Sequence, residues 1–175
     1  MRIENKSLVL RHAVPQDAEI LCRWWNDGAV MAHAGFPNGL GTTAEKVARQ
    51  LAADTDDTCR RLLIEYQGEA IGEMSYRNKG EHTAEIGIKI CEASMQGKGL
   101  GTLCLKMLIT RLFEMGYRKI ILDTNLNNLR AQHVYEKLGF EKLRVNKDAW
   151  QDQLGVWQSS MDYALTPEDF DRLSL

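Results

Sequence analysis

Between residues 84 and 116 the spacing of apolar side chains changes period. Over residues 84–91, Ile86, Ile88 and Ile90 alternate with Glu85, Gly87 and Lys89, the two-residue repeat of a strand. From Leu100 onward, Leu103, Cys104, Met107, Leu108, Leu112 and Met115 fall at helical spacing, and Gly116 supplies a stop. The pattern predicts strand, loop, helix, with the loop at Gln96-Gly97-Lys98-Gly99-Leu100-Gly101-Thr102. Glycines let a backbone turn sharply and bring several N–H groups near one anion, and a helix N-terminus adds unpaired donors and a favourable dipole. The loop therefore reads as a phosphate cradle.

Other patterned segments surround this unit. Residues 7–11 read as a first strand, and Pro15-Gln16-Asp17 opens a helix carrying Ile20, Leu21, Trp24 and Trp25. Residues 26–43 are punctuated by Gly and Pro and read as mostly loop, broken by a short apolar segment around Val30 and Met31. Thr43 caps a second helix that runs to about Leu51. Two strands, 60–66 and 69–78, hinge at Gln67-Gly68, and another covers 119–123. A helix follows, then terminal strands at 141–146 and 156–165, with Thr166-Pro167 ending the last.

With 175 residues, 44% of them hydrophobic, the chain suits one domain over residues 1–175 with a substantial core. Lys and Arg total 22 against 24 Asp and Glu, which leaves no electrostatic footprint for nucleic acid. No apolar run approaches the roughly 20 residues of a membrane span. The cysteines at 22, 59, 91 and 104 form no CxxC pair and read as reduced thiols. Histidines 12, 33, 82 and 133 lack metal-ligand spacing, so no metal is expected. A cytoplasmic protein that binds neither nucleic acid nor membrane is the expectation, and a homodimer is compatible with it.

Two familiar phosphate binders fit poorly. A nucleotide-hydrolase loop needs Gly, four residues, then Gly-Lys-Ser/Thr, but Glu92 stands five before Gly97 and Gly99 follows Lys98. A dinucleotide fingerprint would use Asp123 as its ribose ligand, yet its third glycine is displaced to Gly101, and the N-terminal half lacks strand-helix repeats. A second segment decides the matter. Gln96-x-x-Gly99-x-Gly101 is followed, after another strand, by Asn128-x-x-Ala131-x-x-x-Tyr135-x-x-x-Gly139-Phe140. Together these resemble the GNAT superfamily of acyl-CoA-dependent N-acyltransferases across residues 84–140. The resemblance implies an α/β (α+β) fold with a mixed, mostly antiparallel central sheet, flanked by helices and splayed at the cofactor site. It also implies acetyl transfer from acetyl-CoA to a primary amine of a small molecule or protein N-terminus, by direct attack in a ternary complex. A noncatalytic acyl-CoA sensor on the same fold is the alternative.

The resemblance assigns Tyr135 as proton donor to the departing sulfur, although Ala131, Val134, Tyr135 and Leu138 also share a helix face that suits a core. It assigns Glu85, eleven positions before Gln96, as the base, with Glu73 as rival; a sheet-face ion pair with Lys89 would equally account for Glu85. The cofactor would lie along Ile88, Lys89 and Ile90, over Gln96, Gly97, Lys98, Gly99, Leu100, Gly101 and Thr102, and against Asn128, Ala131 and Tyr135. Backbone donors where residues 87–90 leave the neighbouring strand would hold the oxyanion. The acceptor would enter past Trp24 to Asp27, the Gly35-Phe36-Pro37 loop and Trp150 to Asp152, with Trp25, Asn26, Phe36 and Glu73 as substrate contacts. Residues 24–40 look like the aminoglycoside and ribosomal-protein N-terminal acetyltransferase branch. The acidic run Asp54, Asp56, Asp57 offers a further attraction for a polycation, or simply a solvated loop.

Overall fold

The computed structural model describes residues 1–174, with side chains through Phe170. Eight strands form one sheet: β1 (Arg2–Asn5), β2 (Leu8–His12), β3 (Cys59–Tyr66), β4 (Glu69–Asn78), β5 (Thr83–Ile90), β6 (Lys119–Asn125), β7 (Glu141–Gln151) and β8 (Trp157–Leu165). Their spatial order is β1-β2-β3-β4-β5-β6-β8-β7. Every neighbouring pair is antiparallel except β5 and β6.

That parallel pair is short. It joins Thr83 to Lys119, Ala84 to Ile120 and Glu85 to Ile121, and ends there. Beyond Glu85, β5 continues to Ile90 paired only with β4, while β6 continues to Asn125 paired only with β8. The sheet therefore opens as a V in its middle, with unpaired backbone along the inner edge of β5.

The two-residue repeat of the central strands distributes apolar side chains to two cores. On β3, Leu62 and Ile64 join Met74, Tyr76, Leu105, Leu108 and Leu112 under α4 (Leu100–Glu114) and α5 (Leu129–Lys137). Leu63, between them, joins Leu21, Trp24, Trp25, Val47, Leu51 and Cys91 under α1 (Ala18–Trp25) and α3 (Ala44–Ala53). Each face of the sheet is thus covered, and the V lies between two helical layers.

Several elements differ from the sequence reading. Residues 26–43 contain a one-turn helix, α2 (Gly28–Met31), capped by Asp27 accepting from the Ala29 N–H at 2.8 Å. β1 is mostly exposed and carries no apolar alternation; pairing with β2 makes it a strand. β7 reaches Gln151 rather than 146, bulging between Asn146 and Trp150. Thr166-Pro167 starts a helix, α6 (Pro167–Ser174), instead of only ending β8: the Thr166 hydroxyl accepts from the Asp169 N–H at 3.3 Å and Pro167 takes the first helical position.

Candidate active site

The V opens into a cleft of about 1020 Å³, lined from β5, β6, the 96–102 loop, α5, α2 and the β7–β8 hairpin. A separate depression of about 540 Å³ holds Arg11, Asp17 and Glu65, but Arg11 already donates to both carboxylates, so these three groups are engaged with one another.

At one end of the cleft lies the glycine loop. Gln96 Nε2 donates to the Ile90 carbonyl at 2.9 Å, pinning the loop to the end of β5. Gly97 and Gly99 take φ of 77° and 76°, in the left-handed region that side chains disfavour, and this turns the chain into α4. The N–H groups from Gly97 to Thr102 find no acceptor among the described residues, and no atom lies within 4 Å of where a Gly99 Cβ would stand. These free donors at a helix N-terminus fit a diphosphate. A Cβ at Gly101 would make ordinary contacts with Ile90 Cγ1 at 3.7 Å and Ile88 Cδ1 at 3.9 Å, which places the start of α4 beside β5.

A cation also lines this end of the cleft. Lys98 points off the cleft wall, its Nζ 3.9 Å from Met95 Sδ. Arg130 stands there instead, its Nη2 3.6 Å from where a Gly97 Cβ would lie, with no ion-pair partner among the described residues. Asn128 caps α5, its Oδ1 accepting from the Ala131 N–H at 3.2 Å, and both residues also line the cleft.

Tyr135, on α5, lines the cleft. Its ring is edge-on to Phe140 and Tyr163, each at 5.7 Å, and the side chain is 7% exposed. Its hydroxyl has no hydrogen-bond partner among the described residues. Burial, and then the nearby Asp123 charge, push its pKa up to about 12, so the phenol stays protonated at neutral pH.

Two carboxylates, each near a cation or another acid, stand where β5 and β6 part. Glu85 faces the cleft with Lys79 Nζ 3.1 Å from Oε2, which otherwise receives no hydrogen bond. Lys89 pairs instead with Glu73, at 3.4 Å. Asp123, on β6 across the V, has its pKa raised by burial and then by the neighbouring Glu85 and Asp162 carboxylates. Ser75, Arg77, Cys59, Trp150, Ala29, Val30, His33 and Ala34 also line the cleft.

Ile88, Lys89, Ile90, Gln96, Gly97, Gly99, Leu100, Gly101, Thr102, Asn128, Ala131, Tyr135 and Glu85 all line the one cleft. Four other candidates stand behind its wall. Glu73 is buried, accepting from Trp25 Nε1 at 2.8 Å; Phe36 packs on the α1–α3 core; Asn26 exchanges hydrogen bonds with the Thr42 backbone at 2.8 and 3.0 Å. The acidic run is also occupied: Asp54 pairs with Arg61, and Asp56 with Arg60 and the Tyr76 hydroxyl. Asp123 and Arg130 are the residues sequence reasoning missed as parts of this site. Asp123 ends an apolar strand run and Arg130 adjoins the Asn128 motif, but their direction depends on where the sheet opens. Among the described residues no group of three His, Cys, Asp or Glu side chains gathers to hold a metal.

The family described as Acetyltransferase (GNAT) domain matches residues 7–141. Aminoglycoside N(6')-acetyltransferase type 1 of Klebsiella pneumoniae is 30% identical over 152 residues, covering 79% of this chain and 76% of that protein. Among solved structures, a ribosomal L7/L12 alpha-N-protein acetyltransferase in complex with coenzyme A superposes with a TM-score of 0.81 at 20% identity, over 95% of this chain and 98% of that one. A ribosomal-protein-alanine N-acetyltransferase from Brucella melitensis superposes with a TM-score of 0.76 at 23% identity, over 90% and 98% of the two chains. These likenesses show the fold.

Proposed function

The chain belongs to the GNAT acetyltransferase family, and from that premise we propose that it carries acetyl from acetyl-CoA to a primary amine of a small molecule or a protein N-terminus. The observation that carries this reading is the V between β5 and β6, whose one cleft brings together free amides in the loop after β5, carboxylates where the two strands part, and a Tyr135 phenol with no protein hydrogen bond. The relatives named for aminoglycosides and ribosomal proteins support an amine acceptor.

Acetyl-CoA supplies an acetyl thioester and is released as the free thiol. The 97–102 amides and Arg130 hold its diphosphate, and the unpaired edge of β5 takes the arm leading to the thioester. Donors along 87–90 on that edge stabilise the oxyanion. Glu85 removes a proton from the acceptor ammonium, directly or through water, and Asp123 opposite it adds negative charge that favours a cation there. Glu73, tied to Trp25 and Lys89, is the weaker base. Tyr135 gives its proton to the leaving sulfur. Direct attack is favoured over a covalent acyl-enzyme. Cys91 and Cys104 are buried, with burial first among the causes that push each thiol up to about 12, and Cys59 on the cleft wall has no hydrogen-bonded base among the described residues.

Thiol release from acetyl-CoA, followed across aminoglycosides, polyamines, amino acids and N-terminal peptides, tests the reading. Release with at least one amine, lowered about tenfold or more in Tyr135→Phe, supports it. Tight CoA binding with no release for any amine would replace the enzyme with a sensor.

A further inference from the structure

We propose, resting on the acetyltransferase reading above, that Gln153 is a positioning residue for the acceptor: it clasps the β7–β8 hairpin to the 35–40 loop and so fixes the 29–34 wall of the cleft. The two partners are more than a hundred residues apart in sequence. Gln153 Nε2 donates to the Gly39 carbonyl at 3.0 Å, its Oε1 accepts from the Asn38 N–H at 2.9 Å, and its own N–H donates to the Gly35 carbonyl at 2.8 Å. One neutral amide thus satisfies both a donor and an acceptor of the loop. Beside it the Trp150 ring lies against Gly35, whose φ of 98° and missing Cβ permit the approach; any side chain there would collide with the indole.

The clasp is pre-shaped on the hairpin side. Asp152 Oδ1 accepts from the Leu154 and Val156 N–H groups at 2.9 and 3.0 Å, and Oδ2 accepts from Gln158 Nε2 at 2.9 Å, holding the turn that presents Gln153. Burial does little to hold the tip, because Leu154, Val156 and Trp157 are 54 to 61% exposed. Ala29, Val30, His33 and Ala34 precede the clasped loop and line the cleft, as does Trp150 on the hairpin. The clasp lies past the Asn125–Ser160 pair, at the open side of the V, and none of its hydrogen bonds runs to the 97–102 loop, so the acceptor wall and the diphosphate cradle are held by separate devices.

Two measurements on full-length Gln153→Ala and Gln153→Glu test this. Hydrogen exchange reads the clasp without any acceptor: amides of 28–40, Asn38 included, exchange about tenfold faster in Gln153→Ala, while those of 97–108 are unchanged. Unchanged exchange over 28–40 overturns the proposal, even if the wild type acetylates no amine and the functional reading has already failed. With an acceptor in hand, acceptor KM rises about three- to tenfold, while kcat and acetyl-CoA KM stay within about twofold. Gln153→Glu, which keeps the bond from Asn38, falls between. Acetyl-CoA KM rising in step with acceptor KM would show general loosening and sink the positioning role.

Discussion

Tyr135 is 7% exposed, and its hydroxyl, which opens to the cleft, makes no protein hydrogen bond, so the fold gains none from it. Tyr135→Phe is therefore expected to keep or raise the thermal midpoint while lowering kcat at least about tenfold, two results that calorimetry and turnover read separately. Asp123 makes a similar case through charge. Its pKa is raised by burial and then by Glu85 and Asp162, so the folded protein holds this proton more tightly than the unfolded chain does. Below the ordinary carboxylate pKa the residue does not weaken the fold; as pH rises through the raised folded value, its ionisation does. Asp123→Asn should accordingly raise the melting temperature at pH 7 and leave it unchanged near pH 3, as thermal melts at the two pH values would show. Arg130, the unpaired cation beside Gly97, predicts the opposite kind of effect. Arg130→Ala weakens CoA binding about tenfold in titration calorimetry at low salt, and by less at high salt.

At the scale of elements, the strand-loop-helix unit from β5 to α4 was legible because its signals are local: two apolar periods and glycines between them. Gly99 makes the loop's requirement testable. At φ 76° an alanine is strained by about 1–2 kcal/mol, and its methyl enters the open space before the free amides. Gly99→Ala should lower the melting temperature by several degrees and weaken CoA binding further than the strain alone accounts for. Elements built by distant pairing were not legible. β1 is recognisable only against β2, and the last residues of β7 only against β8, across a bulge. For α6 the local signal was present but double-edged, since Thr166-Pro167 both stops a strand and starts a helix. Trp25 and Phe36 had patterns that suit a lip or a core equally; only packing shows them behind the wall.

At the scale of the molecule, the site exists because one strand pair stops after three residues, a decision no short window of sequence contains. The motifs told which residues meet, while the V decides which faces they present, and that is why Asp123 and Arg130 emerged only in three dimensions. The result is a cleft that holds free amides and Arg130 by the glycine loop and the Glu85 and Asp123 carboxylates where β5 and β6 part, on a chain whose net charge is only −2. Selection of charged partners must then be local rather than a long-range pull of the whole protein. At physiological ionic strength the screening length is about 8 Å, so attraction inside the cleft survives salt better than attraction across the surface, yet still weakens as salt rises. An acceptor bearing two or more ammonium groups leans on Glu85 and Asp123 more than one bearing a single ammonium. Raising salt from about 0.05 to 0.5 M should therefore raise KM for the polycationic amine by a larger factor than for the monocation, with kcat nearly constant. In Asp123→Asn the two factors converge. Equal factors for both amines in the unmodified protein would show that Glu85 and Asp123 do not read acceptor charge.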